Sequence, residues 1–200
     1  MSGSAISIHA VATDSGQVGS LVESAVTTYG RLDFAFNTVG ISGSVPGLLA
    51  ADVDEDAFDK VIAVNPRGVW LCMKYEMPAL LMHGGGCGER GLDYWSSGNP
   101  TNAASAASKH AVIGMTRSFA LAYADQGVRA NAVCPGYIDT PMSGRFREHP
   151  DVAHQIIRRH PIGRLGTASE VARIVVWLSS DASSFVTGHA LIADGGYTAQ

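Results

Sequence analysis

Apolar residues recur along this chain in two periods, and the period changes at capping and turn residues. Ala5 to Ala12 (AISIHAVA) is β-branched and partly alternating with no turn residue, which predicts a short strand. Asp14 offers a helix N-cap with Gln17 at capping-box spacing. Val18, Leu21, Val22, Ala25, Val26 and Tyr29 follow at helical intervals on one apolar face, and Gly30 ends that helix. Leu32 to Val39 (LDFAFNTV) reads as the next strand, running into a Gly-rich loop. Asp52 and Glu55 repeat the capping spacing. Phe58, Val61 and Ile62 begin a helix that continues past Asn65 through Val69, Met73 and Met77 towards Leu81, where Gly84–Gly86 stop it.

Cys87 to Pro100 has neither period. A helix fits Ala103 to Tyr123, with Val112, Met115 and Phe119 on one side. Val128 to Val133 (VRANAV) is a strand stopped by Pro135–Gly136. Thr167 and Glu170 form a capping box, and Val171, Ile174, Val175 and Leu178 make that helix's buried face. His189 to Ala193 is the last strand, ended by Asp194–Gly195–Gly196. Strands alternating with helices predict one α/β domain with a mainly parallel sheet covered on both faces.

Composition refines this only at the margins. The chain is 46% hydrophobic and 16% charged, the balance of a packed globule and not of a disordered segment. A net charge of −4 argues against a nucleic-acid or anionic-membrane surface. Arg145, Arg147, Arg158, Arg159 and Arg164 read as solvated surface. Three cysteines at wide spacing form no disulfide or zinc pattern, which suits a cytoplasmic protein. No signal peptide or membrane span is expected. Gly86-Cys87-Gly88-Glu89-Arg90-Gly91 matches G-x-G-x-x-G, but a phosphate cradle needs a strand before it and a helix after it. Here a predicted helix precedes, so the match reads as a Gly-rich loop.

Four stretches together resemble the short-chain dehydrogenase/reductase family. YGRLDFAFNTVGI (Tyr29–Ile41) is similar to its fourth-strand motif, with Asn37 and Gly40 matching and Thr38 and Val39 departing. VNPRGVW (Val64–Trp70) resembles the segment carrying the active-site asparagine, here Asn65. Ser105–Met142 resembles the catalytic helix, sixth strand and Pro-Gly motif, and Gly163–Gly196 the C-terminal region. The resemblance implies a doubly wound, Rossmann-like parallel sheet with its ligand at the carboxyl ends of the strands. It implies NAD or NADP as cofactor, a carbonyl or alcohol small-molecule substrate, and a homo-oligomer, dimer or tetramer, joined through the two long helices. Asn37, Gly40, Lys109, Pro135, Gly136 and Thr140 fall on its cofactor-binding positions.

The same resemblance marks departures. The chain begins near the family's third strand, so the first two strands and the Gly-rich cofactor turn are expected to be lacking. The family's Tyr-x-x-x-Lys places both side chains on one helix face a turn apart. Lys109 keeps its place, but Ser105 stands where the tyrosine belongs. Gly88–Trp95 lacks the alternation of the family's fifth strand, and Ser96 and Ser97 replace its serine only if the loop is re-routed. Tyr94 is the one tyrosine of this block and the candidate for a displaced phenol. Ser105 as nucleophile would need an adjacent base, and His110 faces elsewhere on an ideal helix. The expected function is an NAD(P)-dependent oxidoreductase with hydride transfer impaired or lost, its candidate catalytic residues being Asn65, Lys109, Ser105 and Tyr94. Two alternatives stand beside it: a cofactor-independent isomerase, cyclase or lyase using the vacated cleft, and a non-catalytic oligomer partner. The Gly88–Trp95 block fits either a remodelled site or a local reading-frame disturbance.

Overall fold

A computed structural model describes residues 3–43, 48–83, 86–90, 102–141, 143 and 150–200. Among these, four parallel strands form the main sheet in the order β1-β2-β3-β6. They are β1 (Phe34–Asn37), β2 (Gly86–Arg90), β3 (Arg129–Pro135) and β6 (Ala190–Ala193). Helices α2 (Glu55–Val64) and α3 (Pro66–Leu81) connect β1 to β2, and α4 (Ala103–Tyr123) connects β2 to β3. Between β3 and β6 come β4 (Ile138–Asp139), α5 (Pro150–Arg158), β5 (Gly166–Thr167) and α6 (Ala168–Leu178), with β4 and β5 pairing as a small second sheet. α1 (Ser15–Tyr29) precedes β1 and lies against α3.

The core follows from the pattern. Val69, Met73, Met77 and Leu80 of α3 meet Val112 of α4 and Val128, all buried. Ile113 of α4 covers Ala132 and Cys134 on one face of β3. Val133 points to the opposite face and is also fully buried, so β3 is covered on both sides as the α/β expectation requires. The α4 bounds, the Gly30 stop with its left-handed φ of 80°, and the Thr167–Glu170 capping box stand as expected.

Four expectations are corrected. Ala5–Ala12 forms no strand and pairs with none among the described residues, leaving Ile6, Ile8 and Val11 exposed. Among the described residues no neighbouring backbone completes a ladder with it. The helix from Phe58 to Leu81 is broken at Asn65, because Pro66 has no N–H to donate and takes the first position of a new helix. The first of these helices is capped by Asp54, which accepts from Asp56 and Ala57 N–H, while Asp52 ends a short 3-10 turn. The stretch taken for a Gly-rich loop contains a central strand: β2 pairs in register with β1 and β3, Gly86 opposite Phe34 and Arg129. Ladder partners on both sides override its poor strand propensity.

Candidate functional site

Gly40 follows the carboxyl end of β1, Gly136 that of β3, and α4 begins on the side where β2 ends. Those expected site residues that the structure describes therefore gather at one edge of the sheet, in two groups. The first centres on Asn65, fully buried at the α2–α3 break. Its Oδ1 accepts from Ile41 N–H at 2.8 Å, and its Nδ2 donates to Ile41 O at 3.0 Å and to Ser108 Oγ at 3.0 Å. Ser108 Oγ donates in turn to Ser105 O at 2.7 Å. The one hydroxyl proton of Ser108 is thereby used, so its lone pair must face Nδ2, and the Asn65 amide has a single orientation.

Lys109 is 2% exposed, the largest of the fully buried side chains. A side chain on Gly40 would begin 3.4 Å from Lys109 Nζ and 3.3 Å from Asn65 Oδ1, so ammonium, amide and the Gly40 backbone share one small space. Ser105 is half-buried one turn before Lys109 on the same face of α4. Asn37 ends β1 with its Nδ2 donating to the buried Glu76 of α3 at 2.9 Å, so its amide is turned towards the helix. Tyr94, Asp93, Ser96 and Ser97 lie outside the described residues.

The second group surrounds Pro135 and Gly136, both buried. A Cβ on Gly136 would stand 2.8 Å from Asp194 Cα and 3.0 Å from His160 Nε2, a close approach that only glycine permits. Thr140 is half-buried and donates its N–H to Ser143 Oγ at 2.8 Å. Burial pushes the Asp194 carboxyl up, but hydrogen bonds from Thr198 and Gly196 outweigh it and hold the group below its ordinary range. A pocket of about 70 Å³ opens here between Gly136, Tyr137, His160, Arg164, Glu170 and Asp194. Neither Asn65 nor Lys109 lines it.

The profile of a family described as Enoyl-(Acyl carrier protein) reductase matches residues 1–198. The chain belongs to the short-chain dehydrogenase/reductase family. It is 42% identical over 180 residues to a cyclohexanol dehydrogenase of Acinetobacter sp. strain SE19, covering 90% of this chain and 69% of that one. It is 39% identical over 196 residues to a 2,5-dichloro-2,5-cyclohexadiene-1,4-diol dehydrogenase of Sphingobium indicum, covering 91% and 73%. Among solved structures, ElxO with NADP bound superposes with a TM-score of 0.88 at 34% identity, covering 94% of this chain and 76% of that one. As a short-chain dehydrogenase/reductase, the chain is a member of a family of NAD(P)-dependent oxidoreductases with a Rossmann-like fold. Among the described residues no helix is long and apolar enough to cross a membrane.

The residues present fit the nicotinamide end of such a cofactor. Gly40, just after β1, lies beside the buried Lys109 amine and Asn65 amide, and Gly136 follows the carboxyl end of β3, the side of a Rossmann-like sheet where its ligand binds. The G-x-G-x-x-G match does not supply the phosphate end, since Gly86 and Gly88 are in β2 and not in a turn leading to a helix. Sequence reading missed Ser108 and His160. A serine in an alanine-rich helix and a histidine beside a proline carry no local signal. Only the packing of α4 on Asn65, and of α5 on the turn after β3, reveals them.

Proposed function

We propose that this chain is an NAD(P)-linked alcohol–ketone oxidoreductase whose proton-transfer step is crippled. The substrate class is a secondary alcohol or ketone on a compact six-membered carbocycle, the feature shared by the names of the two dehydrogenases above. The observation that carries the reading is Ser105, one turn before a retained and buried Lys109.

Bound NAD or NADP supplies or accepts the hydride. Lys109 would hold the ribose and would lower the pKa of an acid one turn away. Asn65 fixes the backbone at Ile41 and, through Ser108, the turn that carries residue 105. Asn37, Gly40, Pro135, Gly136 and Thr140 would border the dinucleotide. Ser105 is a poor proton donor. Its hydroxyl titrates far above a phenol's value of about 10 and its oxygen lies several ångströms short of a tyrosine's.

The test is the rate of NAD(P)H formation with cyclohexanol at the highest attainable cofactor concentration. Ser105→Tyr is expected to raise the rate by about 10²–10⁴, the usual worth of a positioned general acid–base. A wild-type rate equal to that of Ser105→Tyr overturns the reading. A wild-type rate that falls in Tyr94→Phe transfers the proton-donor role to Tyr94.

A further inference from the structure

We propose that His160 is a positioning residue: a neutral imidazole that ties the end of α5 to the Gly136–Tyr137 turn and so tunes how tightly the site holds a nicotinamide. The second half of this statement rests on the oxidoreductase reading above, and the first half does not.

His160 is 2% exposed, and both ring nitrogens are engaged. Nδ1 lies 2.8 Å from Ile156 O. A carbonyl only accepts, so Nδ1 carries the proton. Nε2 lies 3.2 Å from Tyr137 N, and a backbone N–H only donates, so Nε2 is bare. The two contacts together admit one species, the neutral Nδ1–H tautomer. The Nδ1–H bond gives Ile156 O, in the last turn of α5, a second donor beside the Arg159 N–H at 3.1 Å.

The ring also stands edge-on to Tyr137, with centroids 5.7 Å apart at 80°, and packs on Tyr197 at 5.1 Å. Backbone bonds already fix the two sides of the turn. Gly136 N–H donates to Ala193 O at 3.1 Å, and Tyr137 O accepts from Gly166 N–H at 2.9 Å. The Tyr137 N–H between them has a side chain, His160, as its acceptor. His160 thus touches α5, the turn after β3 and, through Gly136 and Gly195, the turn after β6. A shift of α5 moves the ring, and the ring moves the backbone that borders the proposed nicotinamide position.

The experiment combines ¹⁵N-resolved imidazole spectra, amide hydrogen exchange and fluorescence titration with NADPH and NADH. It uses the wild-type chain, His160→Phe and His160→Gln. The wild type is expected to show a protonated Nδ1 and a bare Nε2. In His160→Phe the Tyr137 amide should exchange about tenfold faster, while the Ala132 amide in the middle of β3 is unmoved. Dinucleotide Kd should rise by about three- to tenfold in the same variant. His160→Gln places Oε1 where Nε2 stood and should recover most of both losses. It keeps the test intact if His160→Phe does not fold.

A protonated Nε2, unchanged Tyr137 exchange in His160→Phe, or loss of Tyr137 protection in His160→Gln overturns the proposal. So does faster exchange with dinucleotide affinity unchanged. A wild type that binds neither dinucleotide sinks the oxidoreductase reading instead, and the positioning of the turn by His160 is then judged on exchange and tautomer alone.

Discussion

Asn65 shows how much one side chain organises here. Its backbone N–H donates to Val61 and its carbonyl accepts from Val69, so it closes one helix and opens the next. Its carboxamide meanwhile pairs with both backbone groups of Ile41, as a neighbouring strand would. The remaining amide proton goes to Ser108, which holds the carbonyl of Ser105. Ser108→Ala removes a fully buried hydroxyl that serves two partners. It is expected to cost about 1–3 kcal/mol, because a buried donor and acceptor are left unmatched. Thermal or urea unfolding measures it, and a loss below about 0.5 kcal/mol would show that water takes the hydroxyl's place. At this scale Asn65, Ser105 and Lys109 were legible from spacing and resemblance, whereas Ser108 was not. Spacing reports which residues share a helix face, but not what the facing element brings to meet them.

Among the elements, the helices with strong caps were the easiest to read. Thr167 and Glu170 satisfy one another's backbone groups at the start of α6, and Arg164 adds a two-pronged pair to the same carboxylate. The Arg164 hydrogen bonds, then those from Thr167, lower the Glu170 pKa from 4.5 to about 2. A carboxylate with a depressed folded-state pKa contributes stability that is fully present above its unfolded value. That contribution is lost as pH falls from 4.5 through about 2. The melting-temperature gap between wild type and Glu170→Gln should therefore be widest near neutral pH and close in that acid window. A gap that persists at the acid end would assign it to lost packing instead of charge. The break at Asn65–Pro66 was read instead as one continuous helix, although the residue before a proline is driven out of the helical region. β2 was not readable, because Gly86–Arg90 has no strand-like side-chain pattern and exists as a strand through the backbones of β1 and β3.

At the scale of the molecule, β1 is an edge of the main sheet among the described residues, and several apolar side chains face outward. Leu121 on α4 is 86% exposed, and Val176 on α6 is 67% exposed. An apolar side chain left in water is stabilised when a second surface covers it. The family resemblance implies a subunit interface on the long helix carrying Leu121, which sedimentation tests. The chain is expected to sediment as a dimer or larger species, with Leu121→Asp shifting it towards monomer. A monomeric wild type, or an unchanged distribution in Leu121→Asp, would remove α4 from the interface.

Sequence alone determined the class of fold, the α4 helix that carries Ser105 and Lys109 a turn apart, and the strand ends where Gly40 and Gly136 stand. Each of these is written in local periodicity, capping chemistry or a run of matching residues. Tertiary structure decided the rest. It made β2 a central strand, left Ala5–Ala12 without a ladder partner among the described residues, gave Ser108 to Asn65, and seated His160 against the turn after β3. These depend on which backbones and polar groups meet across the chain, over separations that no local pattern encodes.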